Sequence, residues 1–192
     1  MNARRKRDRR RNRAQRRPPN GPSPGRAPGT PARVAGQIRV NRVPGEDAWE
    51  LVFPPSVLRR REDLEEVRAM LDAGEIDVAV DELRWLLSGC RALLEAHRLL
   101  GEIALADGDF PLAQAHFGYA FAMGLDAIRR TPDFTGRLPY ARPANQAFLE
   151  SGKGLAFTLR QQGDTQSASR VVQQMLEFDP SDPLGVRMVN DE

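Results

Sequence analysis

Ten of the first seventeen residues are basic: Arg4, Arg5, Lys6, Arg7, Arg9, Arg10, Arg11, Arg13, Arg16 and Arg17. A guanidinium presents a planar fork of N–H donors that matches a phosphate, and clustered arginines release counterions from a polyanion. No aromatic residue is interleaved among them, so the segment offers no base-stacking platform. Any contact with RNA or DNA would therefore be to the backbone. An anionic membrane surface, an acidic protein or the chain's own acidic remainder satisfies the same chemistry. Other reactive groups are sparse. His97 and His116 are the only histidines, and no further ligands stand at metal-binding spacing, so no metal is expected. Cys90 is alone, which excludes an internal disulfide. Ser151-Gly152-Lys153-Gly154 looks faintly like a phosphate loop, but the preceding Gly is missing, no Ser or Thr follows Lys153, and the segment reads as helix. Carboxylates are plentiful, yet they stand at helical spacing from basic residues, as in Arg98–Glu102, the pattern of a solvated helix face. Nothing here points to an enzyme or to a cofactor.

The formal charge of +3 conceals a division. Residues 1–42 hold 14 basic residues and one acid, whereas residues 43–192 hold 15 basic and 25 acidic. This is a basic tail on an acidic domain. Residues 1–17 have almost nothing apolar to offset chain entropy and are expected to be disordered. Residues 18–36, with six Pro and three Gly within 18–32, read as a linker. There is no apolar run of membrane-spanning length and no secretory h-region, so a cytoplasmic protein is expected.

Residues 37–55 alternate apolar and polar side chains on both sides of Pro44-Gly45, which predicts a β-hairpin. Its Trp49/Leu51/Phe53 face needs support, most simply from the first helices, where the hairpin would cap the array or offer a binding strand. Helices follow at about 57–72, with Ser56 as N-cap, and at 77–88, 91–106, 110–123, 145–161 and 165–178. Residues 183–192 read as a C-terminal tail.

A repeat organises these helices. Gly74 and Gly108 are 34 residues apart, and 71–79 aligns with 105–113 without a gap. A third copy centres on Gly163, 55 residues past Gly108, which leaves an insertion at about 124–145. Periods in this range denote stacked supersecondary units. Gly108 is expected to take a left-handed angle in the turn, Gly101 and Ala113 to sit where helices cross closely, and Phe117 and Ala120 to fill a seam. Phe134, Leu138 and Tyr140 are candidates to anchor the insertion.

Leu100-Gly101, Gly108-Asp109-Phe110, Ala113, Phe117 and Ala120 resemble the tetratricopeptide repeat, with weaker copies on either side across roughly residues 57–180. The resemblance implies a mainly α fold: antiparallel helix pairs stacked as a short right-handed solenoid over 56–182, preceded by the hairpin and the disordered basic tail. It also implies a polypeptide-binding groove built from the first helix of each pair. The family's groove positions fall on Arg61, Leu64 and Arg68, on Glu95, Arg98, Glu102 and Leu105, and on Glu150, Lys153, Phe157 and Arg160. Some chaperone-binding members clamp a peptide's terminal carboxylate with a Lys/Asn/Arg set. Here Arg98 and Lys153 stand at basic positions, but Glu102 and Phe157 replace the Asn. The expected function is an interaction module that holds a protein or peptide while the tail adds contact to a polyanion. The alternative is a nucleic-acid- or ribosome-associated factor attached through the tail.

Overall fold

The computed structural model describes residues 36–190. The Arg-rich segment and nearly all of the linker lie outside the described residues, as do the ten polyanion-binding candidates. The elements are β1 (Arg39–Arg42), β2 (Trp49–Val52), α1 (Pro55–Leu58), α2 (Arg61–Asp72), α3 (Ile76–Gly89), α4 (Leu94–Ala106), α5 (Phe110–Arg129), α6 (Pro143–Gln161) and α7 (Thr165–Phe178), then a 3-10 turn at Val186–Asn190.

The fold is mainly helical, and its three pairs, α2–α3, α4–α5 and α6–α7, turn back in the same way. Gly74, Gly108 and Gly163 take φ of 77°, 75° and 85°, angles that cost little without a Cβ. At each turn the Gly N–H bonds back to Leu71, Leu105 or Arg160, and the next N–H to Met70, Ala104 or Leu159. This is the Schellman arrangement, which satisfies carbonyls left open at a helix end. Asp109 and Asp164 then cap the following helices through the N–H groups of Leu112 and Ser167. The second helices bury matching triads: Ala79-Leu83-Leu86, Ala113-Phe117-Ala120 and Ala168-Val172-Met175. Their i, i+4, i+7 spacing forms one apolar stripe per helix.

Four expectations shift. The helix expected over 57–72 is split, because Arg60 leaves helical geometry (φ −95°, ψ 11°) while its guanidinium lies over Trp85 at 5.1 Å and bonds Asp63. Ser56 does not cap it; α1 starts at Pro55, whose fixed φ suits a first helical position. α5 runs on to Arg129, into the expected insertion. The supposed C-terminal tail packs on α6 and α7 and buries Val186 and Val189.

The hairpin is antiparallel, but it does not rest on the first helices. β1 lies against α5 and β2 against α6. Trp49 donates to the Thr135 hydroxyl at 2.8 Å and packs on Phe134, with ring centroids 5.5 Å apart. Buried Asn145 joins these parts: its Oδ1 accepts from the Leu51 N–H, and its Nδ2 donates to the carbonyls of Trp49 and Pro139, each at 3.0 Å. Hairpin and insertion thus form one structure over the far ends of α5 and α6. Among the described residues, no helix is long and apolar enough to cross a membrane.

Candidate functional site

The groove positions of the three first helices meet in a chain of charges. By the repeat register, Glu95 and Glu150 are equivalent positions, as are Arg68 and Glu102. Arg68 on α2 reaches Glu95 on α4 at 2.7 Å. Glu95 also accepts from Arg98 at 2.7 Å, and Arg98 pairs with Glu102 one turn on. Arg98 then reaches Glu150 on α6 at 3.3 Å, and Glu150 accepts from the Tyr140 hydroxyl at 2.7 Å. The path runs from the first pair through the second to the third and ends on the insertion.

Burial makes these charges interdependent. Arg98 is 12% exposed at its side chain. Burial alone would lower its pKa, but Glu95, Glu102 and Glu150 outweigh that and hold it protonated well above its usual range. Burial would raise the Glu95 carboxyl, yet Arg98 and Arg68 bring it below its ordinary value. Glu102 goes the other way: burial lifts it, Arg98 offsets only part, and Glu150 and Glu95 repel it further. Within this path two guanidiniums therefore answer three carboxylates.

The remaining candidates are placed differently. Lys153 donates to the Leu184 carbonyl at 2.8 Å, so the packed C-terminal segment occupies it. Phe157 is half-buried against the main core cluster. Arg61 is exposed at the start of α2 and Arg160 half-buried near the end of α6; neither joins an ion pair among the described residues. Arg98 and Lys153, the two cations at the basic positions of such a carboxylate clamp, are both engaged within the fold. Tyr140 was expected only as an anchor of the insertion, and nothing in its local sequence marks it as a partner of Glu150.

The two histidines do meet. His97 Nδ1 and His116 Nδ1 are 3.2 Å apart, one ring donating to the other, and His97 lies 4.6 Å from the Tyr119 ring. Burial, then the neighbouring His116, pushes His97 down to about 4; burial and Arg84 lower His116. Among the described residues no cluster of three or more His, Cys, Asp or Glu side chains is placed to hold a metal ion. The glycines of Ser151-Gly152-Lys153-Gly154 have a packing reason, since a methyl on Gly154 would come within 2.7 Å of the Phe117 ring. Comparison with family models, curated proteins and solved structures finds no match to this chain.

Proposed function

We propose that the three helix pairs form a short, right-handed, tetratricopeptide-like solenoid that acts as a non-enzymatic interaction module in the cytoplasm. The α2–α4–α6 face holds a polypeptide, and the Arg-rich tail adds electrostatic contact to a polyanion. The observation that carries this reading is the ion-pair path Arg68–Glu95–Arg98–Glu150, which links groove residues of three successive first helices. Because Arg98 and Lys153 are engaged within the fold, this face favours an internal segment of a polypeptide over one presenting a terminal carboxylate. Joining a weak groove contact to a weak tail contact raises effective concentration without further interface.

The test is affinity capture from lysate with and without nuclease, comparing the native chain with an Arg61→Glu/Arg160→Glu variant. Neither residue supports the fold through an ion pair, so the variant changes the face alone. A nuclease-resistant protein partner that the variant binds differently supports the groove. Partners that vanish with nuclease and ignore the variant favour the second reading, a nucleic-acid- or ribosome-associated factor. That reading rests on the 14 basic residues against one acid in residues 1–42.

A further inference from the structure

Among the described residues, the hairpin has one edge whose backbone groups are paired and one whose backbone groups are not. Arg42 stands opposite Trp49, and Val40 opposite Leu51. The Leu51 N–H donates to Asn145 and the Trp49 N–H to the Arg137 carbonyl, so both residues direct their backbone groups away from β1. In an antiparallel ladder the residues facing them must then direct theirs away from β2. The N–H and C=O groups of Val40 and Arg42 therefore line the outer edge of β1, and they meet no partner among the described residues. Ile38 has the same parity, and its carbonyl accepts from Arg130 at 3.3 Å, which places that guanidinium at the same edge.

Beside this edge lies a groove of about 280 Å³, lined by Ile38, Arg91, Tyr119, Met123, Asp126 and Arg130 among others. Tyr119 is 49% exposed there. Asp126 pairs with Arg129, whereas Arg39, Arg42 and Arg91 are exposed and join no ion pair among the described residues. Arg91 and Arg130 thus stand beside one end of this edge, and Arg39 and Arg42 are exposed along the strand itself, on a body in which residues 43–192 carry 25 acids against 15 basic residues.

We propose that β1 is a docking edge, distinct from the helix groove, that takes an extended acidic segment of another protein as a third strand. The added strand pairs with the backbone of Val40 and Arg42. Its carboxylates lie on the Arg39 face of the sheet, within the field of Arg91 and Arg130, and its apolar side chains turn to the Ile38 face, where Tyr119 and Met123 line the groove. A strand edge alternates donors and acceptors, and only a polypeptide answers both. A phosphate backbone offers acceptors alone and would leave the two carbonyls unpaired. Charge also decides against the other occupants: the chain's own tail is basic, and a second β1 would bring arginine against arginine, a common guard against edge-to-edge association.

The probe is a synthetic acetyl-Val-Glu-Val-Asp-Val-Glu-Val-amide peptide, added to the isotope-labelled full chain. The tail also attracts this peptide, so the readout is amide exchange at Val40 and Arg42, which tail binding leaves unchanged. Saturating peptide should slow both amides by about tenfold or more. The same peptide N-methylated at every residue should leave them unprotected, and Arg39→Glu/Arg91→Glu should weaken the protection by about tenfold. Equal protection by the N-methylated peptide or by octathymidylate, or none by the parent peptide, overturns the proposal.

Discussion

The seam between the second and third helix pairs is built from aromatic rings seated on glycine, whereas the seam between the first and second is aliphatic. In the former, Phe117 of α5 lies against Gly101 of α4 and Gly154 of α6, where a methyl on either glycine would come within 2.7 Å of the ring. Phe121 and Phe148 stack alongside at 4.9 Å. The hairpin, the insertion and the C-terminal turn contribute to the same cluster. The first pair's core joins Leu64, Val67, Leu83 and Leu86 to Leu93, Leu99 and Leu100 without a single aromatic ring. A groove of about 420 Å³ stays open beside it, with Ile76, Val80 and Leu87 of α3 facing Ile103 and Leu112. Val78 and Trp85 of α3 remain 53% and 57% exposed. Glycine lets backbones approach closely enough for rings to interlock, and where it is absent the repeat docks less completely. The repeat is uniform in its turns and unequal in its seams.

The largest expected effect tests that inequality directly. Leu83 and Phe117 occupy equivalent positions, and both are essentially fully buried. Phe117→Ala should cost about 3–5 kcal/mol and lower the urea midpoint of the whole domain. Leu83→Ala should cost about 2–4 kcal/mol, with the loss concentrated in early opening of α2 and α3. Amide exchange separates global from local loss. If both substitutions loosened all helices alike, the comparison of seams would fail.

The parts of this design that are legible in the sequence are those set by local rules. Glycine followed by an acid at Gly74, Gly108 and Gly163 specifies three alike turns, and apolar spacing at i, i+4, i+7 specifies the buried stripes. Placement of the hairpin is a long-range matter. Alternation shows that Trp49 and Leu51 share an apolar face, but their partners Thr135 and Asn145 lie 86 and 94 residues further on. Asn145 in particular reads as an ordinary residue near a helix start. Of the candidate groove, the Arg98–Glu102 pair is readable at i,i+4, while Arg98–Glu150 depends on how two repeats stack. Lys153 illustrates the remaining gap: its acceptor is the carbonyl of Leu184, in a short segment with no periodicity to announce that it packs.

Acid probes the weaker seam through the histidines. His97 on α4 and His116 on α5 touch, with Arg84 of α3 facing His116 and Tyr119 beside His97. His97 is depressed from the ordinary 6.5 to about 4. Below about pH 6.5 the unfolded chain takes up a proton that the folded chain refuses, so stability falls as pH drops towards 4 and levels off below it. The expected loss is on the order of 1–2 kcal/mol after solvent screening of a partly exposed pair. Urea midpoints at pH 7 and pH 5 should differ less for His97→Asn than for the native chain. An unchanged slope in that variant would remove the histidines from the account and leave the carboxylates as its source.

The smallest effect concerns how the first pair is tethered. Arg68 is 48% exposed and Glu95 16%, and their 2.7 Å contact spans α2 and α4. Arg68→Ala leaves Glu95 still paired with Arg98, so no buried charge is stranded. The global cost should then stay at about 0.5–1 kcal/mol, as for other half-exposed pairs. Arg129→Ala is the control, since its contact with Asp126 lies within α5 and both side chains are largely exposed at 67% and 55%. Arg68→Ala should speed amide exchange in α2 several-fold while α6 and α7 stay unchanged, and Arg129→Ala should leave α2 at its native rate. If Arg68→Ala disturbed α6 as strongly as α2, the ion-pair path would be a single rigid unit. The first pair would then be held by charge to the same degree that the third is held by its rings.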